Sequence, residues 1–171
     1  KNKDIMEEKI MAKIAVVCAA GKEGRLLVEE AIARGHEVTG FVRSADQAVN
    51  PAAKKVVKDL FDITAADLEG FDVVIDAFGA WTPETLPLHR TSLMHLCDVL
   101  SGSKTRLLVV GGAGSLYVNK EHTLQVKDLD SFPEAFKPLA NNMGEALAEL
   151  RGRDDVNWTY LSPAGDFVAD G

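Results

Sequence analysis

The sequence predicts an α/β chain wound into one parallel sheet with helices on both faces. Three observations carry that expectation. Apolar, β-branched runs alternate with amphipathic helical stretches along the length. The first run enters its helix through closely spaced glycines, in "KIAVVCAAGKEGRLLVEEAIARG" (13–35). The 171 residues, 46% hydrophobic, suffice for one substantial core and hence a single domain. Strands joined in this way take right-handed crossovers, which gives a doubly wound sheet.

Each element follows in order. "AKIAVVC" (12–18) is a continuous apolar strand of the kind buried on both faces. The next helix, 24–34, sets Leu27, Val28, Ala31 and Ile32 on one stripe, and Gly35 suits the position just past its end. "HEVTGFVR" (36–43) is the second strand, "KKVVKDL" (54–60) a short third and "FDVVIDAFGA" (71–80) the fourth. Thr82-Pro83 is expected to cap and open a helix reaching about Leu100, with Leu93, Leu96, Cys97 and Leu100 turned inward. "TRLLVVGG" (105–112) is the fifth strand. Ser131-Phe132-Pro133-Glu134 fits a capping box, opening a helix that carries Phe132, Phe136, Leu139, Met143, Leu147 and Leu150, with a kink at Pro138. "VNWTYLS" (156–162) is the sixth strand.

The ends differ from the rest. Residues 1–10, "KNKDIMEEKI", are charged and lack turn signals, so they are expected to be a leader or appended scar, leaving 11–171 as the domain. The chain stops at "AGDFVADG" with no closing helix.

Composition excludes several classes of function. A net charge of −7 disfavours a nucleic-acid surface, which needs clustered Lys and Arg. No apolar run approaches the roughly 20 residues that span a bilayer. The two cysteines, Cys18 and Cys97, have no metal spacing and fall in apolar stretches, the pattern of reduced core thiols in a cytoplasmic protein. No metal is expected.

In an α/β sheet of this kind, ligands bind beyond the carboxyl ends of the strands, where strand order reverses. That places interest on Cys18–Gly24. Dinucleotide-binding turns use glycines for the turn itself, for close approach to pyrophosphate and for helix-to-strand packing. Gly21 and Gly24 remain, while Ala19 or Cys18, depending on spacing, replaces the first glycine. A small side chain there is a mild departure provided its φ stays negative. Amides at the helix start can then receive a phosphate, with Lys22 as a nearby cation. A tight strand-to-helix turn favours glycine for its own sake too, so the sequence pattern alone leaves both readings open. The chain lacks GxxxxGK[ST], which argues against nucleoside triphosphate hydrolysis. NAD enzymes place an acid at the end of the second strand, whereas "FVRSAD" has Arg43 there, suited to a 2′-phosphate. NADP is therefore favoured, NAD staying open, as does a plain surface role for Arg43.

"AVVCAAGKEG", "GHEVTGFVR", "VVKDLFD", "VVIDAFGAW", "LLVVGGAGSLY" and "NWTYLSPAGDF" resemble the atypical short-chain dehydrogenase/reductase-like proteins of the NmrA-like, NAD(P)H-binding group. The likeness extends over about 12–170 and is nearest to small bacterial proteins described as NADH-flavin reductases or NAD-dependent epimerases. It implies a Rossmann fold. It further implies that Ala20, Gly21, Lys22 and Gly24 hold pyrophosphate and Arg43 the ribose phosphate. Asp59 and Leu60 would border adenine, Ala77, Phe78, Gly79 and Ala80 would line the cofactor, and Ser162, Pro163 and Ala164 would lie near nicotinamide. Members of the group usually carry glycine or alanine at the Cys18 position and continue for some tens of residues beyond this chain's end.

The tyrosine-lysine pair of extended short-chain dehydrogenases, YxxxK, is missing. Tyr117-Val118-Asn119-Lys120 brings its lysine one residue early, and Tyr160 has none at that spacing. Hydride transfer to a flavin or quinone needs less from the protein, because the cofactor carries the chemistry. Ser115 and Tyr117 are the candidates to bind or protonate a substrate, and Trp81 could stack on a planar one. The leading expectation is thus an NAD(P)H-binding oxidoreductase acting on a small flavin- or quinone-like molecule. The alternative is a non-catalytic NADP-dependent redox sensor. A nucleotide-sugar epimerase or dehydratase is disfavoured for want of proton-transfer residues.

Overall fold

A computed structural model describes residues 11–165. The leader expected at 1–10 and the last residues, 166–171, lie outside the described residues.

Six strands form one parallel sheet: β1 Lys13–Val17, β2 Glu37–Val42, β3 Lys54–Val57, β4 Val73–Asp76, β5 Arg106–Val110 and β6 Asn157–Leu161. Their order is β3-β2-β1-β4-β5-β6, a Rossmann arrangement whose direction reverses between β1 and β4. In register, Val17 stands beside Phe41 on one side and Asp76 on the other, so the ends of β1, β2 and β4 open onto the same edge.

Period-two alternation divides the core. Ala15, Val17, Val74, Leu107 and Val109 face the short helix α2 (Ala65–Leu68) and helices α3 (Leu88–Val99) and α4 (Lys137–Leu150), in one core with Leu68, Leu93, Leu96, Cys97, Leu147 and Leu150. Ile14, Val16, Val38, Val42 and Ile75 face the other way, onto Val28 and Ala31 of helix α1 (Lys22–Ala33). That second face thins toward the β6 edge. Leu108 and Val110 are only partly covered there, and Leu161 is 63% exposed. Coverage on both faces, expected for the whole sheet, holds for its centre.

Helix α1 ends in a Schellman motif. Gly35 has φ +83, its N–H donates to the Ile32 carbonyl, and the His36 N–H donates to that of Ala31.

Two helix starts differ from the expectation. The stretch after Thr82-Pro83 is a set of turns, and α3 begins only at Leu88. Pro87 explains the delay: within a continuous helix its ring would meet the carbonyl of Pro83, and it has no N–H to bond there. The Ser131 capping box does not form either. Pro133 caps a short 3-10 turn, Glu134–Phe136, and α4 follows from Lys137, with Pro138 in its first turn rather than at a kink. Phe136 consequently points outward, 54% exposed. The third and fourth strands are shorter than expected. β4 stops at Asp76 because that carboxylate accepts the Phe78 N–H at 3.0 Å and turns the chain.

Candidate functional site

The loop between β1 and α1 is built around Cys18. Its φ is +60, the left-handed region, so the expectation of a negative angle at the substituted glycine fails. The carbonyl of Cys18 accepts the Gly21 N–H at 3.0 Å and closes the turn. Gly21 caps α1 without any side-chain cap, and the first bond of the helix runs from the Arg25 N–H to the Gly21 carbonyl. The amides opening α1 therefore have no partner within the helix. A Cβ at Gly24 would stand 2.3 Å from the Cys18 oxygen and 2.9 Å from Ala19 Cα, so only glycine permits this approach of helix to strand. The thiol of Cys18 is pushed up to about 12, chiefly by burial and then by Asp76 and Asp59, which keeps it protonated.

A cleft of about 1140 Å³ opens over this loop and runs along the strand ends. Ala20, Gly21, Lys22, Arg43, Asp59 and Leu60 line its first half. Arg43 is exposed where β2 ends, and its backbone N–H is held by the Gln47 side chain at 2.8 Å. Asp59 spends one carboxylate oxygen on the Phe61 N–H, capping a 3-10 turn. Ala77, Phe78 and Gly79 form the middle wall beyond β4.

The far half lies beyond β5 and β6 and under the start of α4. Ser115 reaches it from a 3-10 turn, Ala113–Ser115, and is itself buried; Pro163 and Ala164 line it after β6. Tyr160 lies against Gly111, where a Cβ would fall 2.1 Å from the ring, and its hydroxyl accepts the Gly112 N–H at 3.2 Å. Leu139, Ala140 and Met143 roof this end.

Four expected residues stand back from the cleft. Gly24 and Ala80 are buried behind its wall, and Ser162 lies off the lining. Tyr117 is also off it: its ring stacks on His122 at 5.0 Å, with the Arg151 guanidinium 5.9 Å from its centre. Ser115 and Tyr117 are thus not brought together. Sequence reasoning missed His89, which lines the cleft. Its Nε2 lies 3.0 Å from the Ala80 carbonyl oxygen, its ring meets Phe78 edge-on, and burial lowers its pKa. No spacing signal marks it, because its partner is a backbone group nine residues earlier in the chain. Among the described residues, no group of three or more His, Cys, Asp or Glu is arranged to hold a metal.

Unpaired helix-start amides, the glycine-only contact at Gly24 and a cleft at the reversal of strand order define a nucleotide-binding Rossmann protein. A family model described as NAD(P)H-binding matches residues 18–166. The chain belongs to this NmrA-like, NAD(P)H-binding family of atypical short-chain dehydrogenase/reductase-like proteins. It is 44% identical over 156 residues to YwnB of Bacillus subtilis (strain 168), an uncharacterised protein, covering 91% of this chain and 73% of YwnB. It is 51% identical to SP1627 of Streptococcus pneumoniae TIGR4, whose structure is described as "a putative NADH-flavin reductase". That match has a TM-score of 0.88 and covers 94% of this chain and 75% of the other. A "putative epimerase" from Bacteroides thetaiotaomicron matches at 32% identity and TM-score 0.75, over 92% of this chain and 73% of its own.

Proposed function

We propose that this chain is an NAD(P)H-dependent oxidoreductase that passes hydride to a flavin or quinone. The observation that carries the reading is the continuity of the cleft, from the amides of α1 to the apolar end under α4. Its volume of about 1140 Å³ lies just above the roughly 300–1,000 Å³ of an ordinary small-molecule site, in keeping with a ligand as long as a dinucleotide.

When bound, the dinucleotide supplies hydride from its nicotinamide ring, and the acceptor takes up that hydride together with a proton from solvent. The protein binds and orients. Ala20, Gly21 and the amides opening α1 hold pyrophosphate, with Gly24 letting the helix come close enough. Lys22 and Arg43 add positive charge, Arg43 at the 2′-phosphate that makes NADP the preferred form. Asp59 and Leu60 border adenine, Ala77–Gly79 the ribose, and Pro163 and Ala164 the nicotinamide, while Ser115 donates a hydrogen bond to the acceptor. Tyr117, stacked away from the cleft, takes no part. A cytoplasmic location belongs to the same reading.

NADPH oxidation measured against free flavins and quinones tests the proposal. Acceptor-dependent turnover supports it. Tight NADPH binding with no turnover on any acceptor overturns it in favour of a redox sensor that reads cofactor occupancy for a protein partner.

A further inference from the structure

Under the ends of β4 and β5 lies a void of about 20 Å³, room for a single water. Three ionisable side chains line it: Asp76 from the end of β4, His89 from the first turn of α3 and Tyr160 from β6. The rest of its lining is apolar. Four of the lining residues, Phe78, His89, Val110 and Met143, also line the cleft, so they form a wall between the two spaces. That wall stands where the stretch given to the ribose, Ala77–Gly79, meets the end roofed by Met143. Of the four, His89 alone carries an exchangeable side-chain proton.

The His89 ring is held at one nitrogen and open at the other. Nε2 lies 3.0 Å from the carbonyl oxygen of Ala80 and 3.3 Å from its nitrogen. Protonated there, the ring donates to that carbonyl whether or not Nδ1 also holds a proton. Among the described residues, Nδ1 has no hydrogen-bond partner, and neither does Oδ2 of Asp76, whose Oδ1 accepts the Phe78 N–H. The one buried side-chain polar atom left without a partner is Ser92 Oγ, so Nδ1 and Oδ2 open onto space rather than being sealed in packing.

The geometry points to His89 as the proton donor to the hydride acceptor, resupplied by Asp76 through a water in the void. The inference rests on the hydride-transfer reading above and adds the path of the proton to it. One C–H bond of the nicotinamide breaks, and its hydrogen and electron pair reduce the acceptor. The proton on Nδ1 of the imidazolium passes to the acceptor heteroatom that has gained charge, leaving a neutral ring still bonded to Ala80 through Nε2. The Asp76 carboxyl then returns a proton to Nδ1 through the water, and solvent reprotonates the carboxylate. The sum is acceptor plus NADPH plus one proton giving reduced acceptor plus NADP. Burial lowers the pKa of His89 and raises that of Asp76 from 3.8 to about 6, which brings the two together and eases exchange between them. Among the described residues, the other titratable groups near the pair are Tyr160, Cys18 and Cys97, kept protonated by burial, and Arg90, which pairs with Glu149.

Kinetics and nuclear magnetic resonance test this. His89→Gln, whose amide can still bond the Ala80 backbone, should lower kcat for quinone reduction about 100-fold, a usual yield of general acid catalysis, with the NADPH Kd unchanged. In the parent, kcat should fall as pH rises through the range of the histidine, and His89→Gln should lack that decline. Free imidazole should restore part of the rate to His89→Ala, and Asp76→Asn should lower kcat with His89 in place. In NADP-loaded protein with isotope-labelled histidine, hydroquinone should shift the Nδ1 resonance of His89 and leave that of Nε2. A parental kcat in His89→Gln or Asp76→Asn, a loss that keeps the parental pH profile and resists imidazole, or an unmoved Nδ1 overturns the inference. A shifted Nδ1 with no turnover of any acceptor upholds the donor and overturns the hydride-transfer reading instead.

Discussion

The carbonyl oxygen of Cys18 lies 2.3 Å from where a side-chain carbon on Gly24 would begin. The same oxygen accepts the Gly21 N–H, so one carbonyl closes the turn and sets how near α1 can come to β1. Gly24→Ala must push the helix away or break that bond. It is expected to cost about 1–3 kcal/mol of stability, the usual range for overpacking, and to abolish calorimetric binding of NADPH. A stable variant with intact binding would contradict the role given to this contact.

Cys18 itself occupies a backbone region that costs a side-chain-bearing residue roughly 1–2 kcal/mol. Glycine relieves that strain but gives back part of the gain through the greater freedom of the unfolded chain. Cys18→Gly should therefore leave stability within about 1 kcal/mol of the parent, whereas Cys18→Val, branched at Cβ, should lose more than about 2 kcal/mol. Chemical denaturation of the two variants side by side decides this.

The proposed function gives Arg43 the choice of dinucleotide. A charged hydrogen-bond partner removed from a phosphate costs roughly 1.5–3 kcal/mol, so Arg43→Ala should weaken NADPH binding by about 10- to 100-fold. NADH, which lacks the 2′-phosphate, should bind the variant and the parent alike. Titration of both nucleotides against both proteins reads the result. Equal losses for the two would place Arg43 on a part of the ligand they share.

Asp76 makes stability depend on pH. It is fully buried, and loss of hydration raises its pKa from 3.8 to about 6 against the opposing pull of the Phe78 N–H. Its folded value lies above its unfolded one, so between these the folded protein holds the extra proton. Stability contributed at this site is complete below about pH 4, falls as pH rises to about 6 and then levels off, a loss on the order of 3 kcal/mol. Asp76→Asn removes the ionisation while keeping an oxygen for the Phe78 N–H. The variant should be more stable than the parent at neutral pH and should lack the decline between pH 4 and 6. The void beside Asp76 is shared with His89 and Tyr160, so the comparison needs both proteins at each pH.

Strand positions were legible because burial on both faces writes itself as apolar, β-branched runs, as in "KIAVV" and "VVID". The glycine turn was legible by position, after the first strand and before a helix. What escaped the sequence were features set by contacts between distant residues or by competing local bonds. Pro87 overrode the Thr82-Pro83 start signal, and Pro133 displaced the Ser131 box. The left-handed angle at Cys18 gives no compositional sign, since cysteine seldom adopts it. His89 enters the cleft through a backbone partner, and Tyr117 leaves it through a stack on His122, neither of which a spacing rule contains.

The reversal of strand order has a mechanical consequence. The strands of one half of the molecule grow outward from β1 and those of the other from β4. The seam between them is four registered pairs long, Ile14 with Val73 through Val17 with Asp76. A guest laid over that seam would touch strand ends of both halves, adding a tie at the carboxyl edge to the core that Ala15 and Val17 share with Val74, Leu93 and Leu96.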